Sequence, residues 1–211
     1  MLTFDDIIDS FARVCPKKTV VSDDIRSLSY SSLQFNGSNL ATFFKKYKII
    51  KGDRVAFLSY NRIEFAEILY ATSKLSAIVM PINFRLSKQE IASIVKDANP
   101  KFFLYEREFF KTINYLVKNN FLSKNMAICI DTKNYFKLLT KTKSTNPLNL
   151  KKSKKNDDWS LMYTSGTTGK PKGVIRNHQG YYHLSSITSI ELKIKKEDKA
   201  LLVMPLCHAN S

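Results

Sequence analysis

The chain is 211 residues long, 44% hydrophobic and 12% aromatic, which is enough apolar material for a sizeable core and too much for a disordered chain. Its formal net charge of +16 rests on 27 lysines and only seven arginines spread along the chain, a pattern that reads as a solvated surface and not as a nucleic-acid footprint. Cys15, Cys129 and Cys207 form no Cys-x-x-Cys pair, the start carries Asp5 and Asp6 where a secretory signal is basic, and no apolar run nears ~20 residues; disulfide framework, zinc site, secretion and membrane span are set aside for a cytoplasmic protein.

Apolar residues at Phe4, Ile7, Ile8 and Phe11 predict a first helix from Phe4 to Val14, followed by a short strand at Thr19–Val21. A second helix runs to about Tyr47 with Ser31 or Ser32 as its N-cap. Gly52 and Asp53 turn into a buried strand, Arg54–Leu58, after which Asn61 caps a helix from about Arg62 to Lys74. The strand Ala77–Met80 stops at Pro81, and Ser87 with Glu90 forms a capping box that opens the next helix. Phe102–Tyr105, a helix over Glu108–Lys118, Met126–Ile130 and a helix around Tyr135–Leu139 continue the alternation. Such alternation predicts an α/β fold with a mostly parallel sheet flanked by helices.

Residues 140–158 break the rhythm with Thr, Lys, Ser and Asn and the basic cluster Lys151-Lys152-Ser153-Lys154-Lys155, and so predict a linker between a first α/β portion (1–139) and a second portion (159–211). Trp159–Tyr163 resumes as a strand and Val174–Arg176 returns as another. Asn177 then caps a helix through Tyr181, Leu184 and Ile187, and Asp198–Met204 is the predicted last strand.

Between the two middle strands lies Thr164-Ser165-Gly166-Thr167-Thr168-Gly169-Lys170-Pro171-Lys172-Gly173. Glycines let backbone approach a ligand, free N–H groups in such a turn make an anion-binding concavity, and hydroxyls and lysines suit phosphate. The Walker A spacing is missing, since Lys170 is followed by Pro171. Read from its residues the stretch is a polyphosphate-binding loop; the plainer alternative is a Gly/Thr-rich surface turn.

The run resembles the phosphate-loop signature of the adenylate-forming enzymes, the superfamily of acyl- and aryl-CoA synthetases, luciferases and peptide-synthetase adenylation domains. Gly52–Val55, Asn61–Phe65 and Lys74–Leu86 resemble further blocks of that superfamily in the same order, with Ser76 standing where its members usually carry glycine and so threatening to crowd a helix–strand contact. Asn83 and Arg85 in these blocks read as loop-bonding scaffold. Met204–Ser211 resembles a second signature, whose histidine, here His208, lies beside the carboxylate substrate. Its neighbour Cys207 makes no dyad with it, because neighbours in an extended segment point to opposite sides. His178 and His183, on the helix after the loop, read as structural, with His178 nearer to the phosphate loop.

The resemblance implies an AMP-forming acid–thiol ligase that joins a carboxylic acid, an acyl or fatty acid in particular, to ATP as an acyl-adenylate and then to CoA. It assigns Thr164, Ser165, Gly166, Thr167, Thr168, Gly169, Lys170 and Lys172 to ATP binding, with Lys172 and His208 as catalytic residues and Lys170 as a solvated flank. Thr167 and Thr168 would contact magnesium through the phosphates. The match ends inside the second signature, so the chain reads as an incomplete N-terminal AMP-binding domain with the C-terminal domain absent, inactive alone, whose missing part a separate chain could supply. The alternative is a non-catalytic nucleotide-binding or basic interaction module derived from such an enzyme.

Overall fold

The computed structural model describes residues 2–141, 153–164 and 171–208. A six-stranded sheet, in the order β6-β5-β3-β4-β7-β8, forms its centre. Its strands are β3 (Arg54–Leu58), β4 (Ile78–Pro81), β5 (Phe102–Tyr105), β6 (Ala127–Cys129), β7 (Asp158–Thr164) and β8 (Lys172–Asn177). The first five run parallel and β8 returns antiparallel to β7. A separate two-stranded ribbon pairs β1 (Thr19–Ser22) with β2 (Ser27–Ser29).

Parallel strands covered on both faces need apolar side chains in both directions. In β3, Val55 and Phe57 point to one face, where Leu40, Phe44, Ile68 and Tyr135 cover them from α2 (Tyr30–Lys46), α3 (Glu64–Leu75) and α6 (Lys133–Lys141). Ala56 and Leu58 point to the other, against Ile91, Ile94 and Leu116 of α4 (Lys88–Ala98) and α5 (Phe110–Lys118). The first helix, α1 (Phe4–Val14), packs Ile8 against Leu28, Leu33, Ile63 and Tyr70.

The Ser87–Glu90 capping box forms, with Ser87 accepting from the Glu90 N–H and Glu90 accepting from the Ser87 N–H. Asn83 bonds its own loop, accepting from the Arg85 N–H at 3.0 Å. Three local expectations are corrected. The cap of α2 is Ser29, which accepts from the Ser32 N–H, because the chain leaves β2 directly into the helix and Ser31 and Ser32 already lie inside it. Helix α3 begins at Glu64, and its N-cap Ile63 is already αR, so Asn61 is too far upstream to cap it. Residues 198–204 form no strand among the described residues: the segment has strand-like side chains but no neighbouring strand, and Leu201 and Val203 stand 85% and 73% exposed.

Most of the expected linker lies outside the described residues. Its last part is tied down: Ser153 is buried and donates to the Ser73 C=O, and Asp157 pairs with Lys51. Ser76 sits beside it as the C-cap of α3 at φ 51° and ψ 29°, a left-handed conformation that suits glycine. The serine therefore costs backbone strain; its hydroxyl lies 3.3 Å from Ser153 Oγ. The same side chain also hydrogen-bonds Asp157 and helps to lower its pKa, so relief of about 1 kcal/mol of strain is offset by the loss of bonds worth roughly 1 kcal/mol. Ser76→Gly is expected to leave stability within about 0.5 kcal/mol of the parent in urea unfolding, with an unchanged m-value.

Among the described residues no helix is long and apolar enough to cross a membrane.

Candidate functional site

The β7–β8 hairpin carries the glycine–threonine stretch at its tip. Its register pairs Thr164 with Lys172, Tyr163 with Gly173, Met162 with Val174 and Ser160 with Arg176. Directly opposed residues of an antiparallel pair share a face with Cβ atoms roughly 4.5–5.5 Å apart. The Thr164 hydroxyl and the Lys172 ammonium thus lie on one side of the hairpin mouth, both exposed. By the alternation of a strand this is also the side of Met162 and Ser160. Tyr163 faces the other way, where burial, and then the hydrogen bond its hydroxyl donates to Asp97, raise the phenol pKa. Gly173 leaves room opposite it, since a Cβ there would stand 2.9 Å from Leu161 Cδ1 and 3.2 Å from Tyr163 Cζ and make those side chains shift. Ser165, Gly166, Thr167, Thr168, Gly169 and Lys170 lie outside the described residues.

On the Met162 side of the sheet a cavity of about 600 Å³ opens between β7, α1, α3 and α7 (His178–Glu191). Trp159, Met162, His178, Tyr181, Leu202 and His208 are among its lining. His208 and Lys172 are thereby served by the same face of the sheet. The backbone around His208 is a turn, with the His208 N–H donating to the Pro205 C=O at 3.0 Å, and is not the extended segment expected from sequence. Cys207 is buried beside it, and burial pushes its thiol pKa up.

Helix α7 begins as predicted, with the Asn177 side chain accepting from the Gly180 N–H at 2.9 Å. His178, however, sits at the base of the hairpin, because Asn177 pairs with Asp158 at the start of β7. Six strand residues at about 3.3 Å each put it roughly 20 Å from Lys172 at the hairpin mouth. At the base it stacks on Trp159 with ring centroids 4.7 Å apart and is 3% exposed. Burial holds its imidazole below the usual pKa, against Asp5, Asp157 and Asp6. Its Nε2 has no hydrogen-bond partner among the described residues. His183 lies exposed on the same helix, 3.4 Å from Gln179 Nε2.

The β3–α3 turn also contributes to the site. Arg62 lines the cavity and reaches Glu64, Glu106 at 3.2 Å and Asp131 at 3.1 Å. These carboxylates come from α3 and from the carboxyl ends of β5 and β6, the end of the sheet where α/β proteins place ligands. No spacing in the sequence joins positions so far apart.

The described rim fits a phosphate chain in donor type, a hydroxyl and a cation on one face. Among the described residues no group of three or more His, Cys, Asp and Glu could hold a metal ion, and Thr167 and Thr168 lie outside those residues.

Comparison with known proteins places these features in context. Residues 8–211 match the AMP-binding enzyme family. The chain is 29% identical over 187 residues to the long-chain-fatty-acid–CoA ligase FadD13 of Mycobacterium tuberculosis, covering 89% of this chain and 37% of that protein. It is 30% identical over 207 residues to the indoleacetate–CoA ligase of Aromatoleum aromaticum, covering 95% of this chain and 40% of that protein. The fold is similar to the inhibitor-bound N-terminal domain of FACL13 from Mycobacterium tuberculosis, with a TM-score of 0.86 and 25% identity over 99% of this chain and 52% of that one. It is also similar in fold to the O-succinylbenzoate CoA synthetase of Bacillus subtilis in complex with AMP, with a TM-score of 0.78 and 24% identity over 95% of this chain and 49% of that one. The chain thus spans well under half the length of these curated relatives and about half of the solved chains.

Proposed function

From the premise that this chain belongs to the AMP-binding enzyme family, matched over residues 8–211, we propose that it forms the phosphate-loop part of an ATP-dependent acid–CoA ligase. One observation carries the reading: the β7–β8 register sets Thr164 and Lys172 side by side on the sheet face that also holds the His208 cavity. A nucleotide tail at the hairpin mouth and a carboxylate near His208 would then meet over the carboxyl ends of the strands.

In the proposed reaction a carboxylate oxygen attacks the α-phosphorus of ATP, the α–β phosphoanhydride bond breaks, and pyrophosphate leaves with the bonding electrons. A CoA thiolate then attacks the acyl carbon and AMP leaves, the thiol proton passing to solvent. Thr164 and residues 165–169 would hold the β- and γ-phosphates by hydroxyl and backbone donors, and Lys172 would offset charge on the departing pyrophosphate. Lys170 is a flank, and His208 borders the acid. Magnesium, held through the phosphates near Thr167 and Thr168, would neutralise phosphate charge. The acid is proposed to be a fatty or other acyl acid, in keeping with the apolar cavity lining. Free Cys15, Cys129 and Cys207 suit the reducing cytoplasm proposed as its compartment.

The 211-residue polypeptide alone is expected to bind nucleotide without forming acyl-adenylate, and the remaining part of the catalytic unit is proposed to come from further polypeptide, a separate chain included. Thermal unfolding with ATP and magnesium tests the nucleotide site. At ATP tenfold above Kd, linkage gives about 1.4 kcal/mol, a rise in Tm of roughly 3–6 °C for a chain of this size. Lys172→Ala should remove most of that rise; equal protection in the variant would sink the assignment. The second reading is a basic interaction module that would use the surface of this chain of net charge +16. RNA binding that survives near-physiological salt, with no ATP effect, would select it.

A further inference from the structure

We propose that Asn61 is a positioning residue for His208, an inference that rests on reading His208 as the group beside the carboxylate. The sequence suggested a helix cap at Asn61, a role the structure leaves to Ile63. Its carboxamide is spent elsewhere. Nδ2 donates to the C=O of Met204 at 2.9 Å and of Leu202 at 3.4 Å, and Oδ1 accepts from the Leu206 N–H at 2.9 Å.

A primary amide presents donor and acceptor side by side, as a peptide unit does. Asn61 therefore stands in for the neighbouring strand that residues 202–206 lack, bonding the chain at alternate positions. Two residues on, the His208 N–H closes its turn onto the Pro205 C=O at 3.0 Å, so the backbone held by Asn61 leads directly into the turn that presents His208. The clamp spans more than 140 residues of sequence and joins the β3–α3 turn to the second signature.

The turn that carries Asn61 is itself fixed. The Tyr60 N–H and the Ser59 hydroxyl donate to Glu106 Oε2 at 3.0 and 2.9 Å. Arg62 bridges Glu106 and Asp131, and Asp131 also accepts from the Arg107 N–H at 2.6 Å. These bonds hold both neighbours of Asn61 against the carboxyl ends of β5 and β6, so the amide meets residues 202–206 already oriented. Asn61 itself is exposed, and its replacement removes no core packing.

The test is amide exchange and histidine ring resonances measured by NMR in the full 211-residue chain. In Asn61→Ala the Leu206 amide should exchange about tenfold faster and the His208 ring signals should shift and broaden, while amides of β3 to β5 keep their protection. Asn61→Asp keeps an acceptor for Leu206 but no donor for Met204, so its exchange should fall between the two. Unchanged Leu206 exchange and unchanged His208 signals in Asn61→Ala would overturn the proposal, as would an equal loss of protection across β3 to β5. Titration with decanoate separates the underlying reading. A native His208 signal that decanoate does not move counts against a carboxylate at His208, whereas the exchange result judges the clamp by itself.

Discussion

Arg62→Ala is expected to lower stability by roughly 2–4 kcal/mol and to loosen the β3–α3 turn with it. Removing one partner of a fully buried pair costs about 3–5 kcal/mol, because the other charge is left uncompensated. Arg62 faces three carboxylates: the Glu64 side chain is 1% exposed, while those of Glu106 and Asp131 are 16% and 22% exposed and keep some water. That partial hydration sets the estimate below the fully buried case. Burial alone would weaken the Arg62 charge, but Glu64, Asp131 and Glu106 outweigh it and hold the guanidinium ionised. Arg26 also reaches Glu64, at 3.2 Å, which leaves that carboxylate one cation in the variant. Urea unfolding measures the loss. Arg62→Lys should recover only part of it, since one ammonium cannot reproduce a planar fork bonded to carboxylates on three elements. A midpoint unchanged in Arg62→Ala would show that the three carboxylates are satisfied without it.

Phe102→Ala should cost about 3–5 kcal/mol, the range for a buried aromatic truncated to a methyl group. Phe102 is 1% exposed at the start of β5, where it fills the space between the sheet and α2. Phe43 and Phe44 meet its ring at 5.6 Å and Tyr47 at 4.8 Å, all edge-on, a geometry that adds to simple area burial. The two phenylalanines and Tyr47 are all held on or beside the last turns of α2, so collapse into the void would have to bend a helix end. Against a total of roughly 5–15 kcal/mol for a typical domain, the loss is a large fraction. The readout is a lower urea midpoint at constant m-value. Phe102→Leu, which refills most of the volume, should recover more than half of the loss. A cost below about 1 kcal/mol for the alanine variant would mean that α2 is not docked on β5 as the structure shows.

The central strands were legible because a two-sided parallel sheet writes continuous apolar runs such as Val55–Leu58 and Phe102–Tyr105 into the chain. Caps were legible where side chain and backbone donor lie three residues apart, as at Ser87 and Asn177. At α2 the sequence pointed to Ser31 or Ser32, and the direct exit from β2 into the helix makes Ser29 the cap instead. The apolar run at 201–204 misled, because strand propensity describes a fit to a pleated neighbour and no described strand lies beside it.

By itself, then, the amino-acid order determined the α/β class, the hairpin that carries the glycine–threonine loop, and the family. Each of these is a short-range pattern of period, turn chemistry or motif. Only the tertiary structure decided that His178 sits at the base of the hairpin far from the loop, that Ser76 takes a left-handed backbone, and that Asn61 holds the segment leading to His208. Those outcomes depend on hydrogen bonds and register between residues far apart in the chain, and a local pattern holds no record of which distant carbonyl an amide will meet.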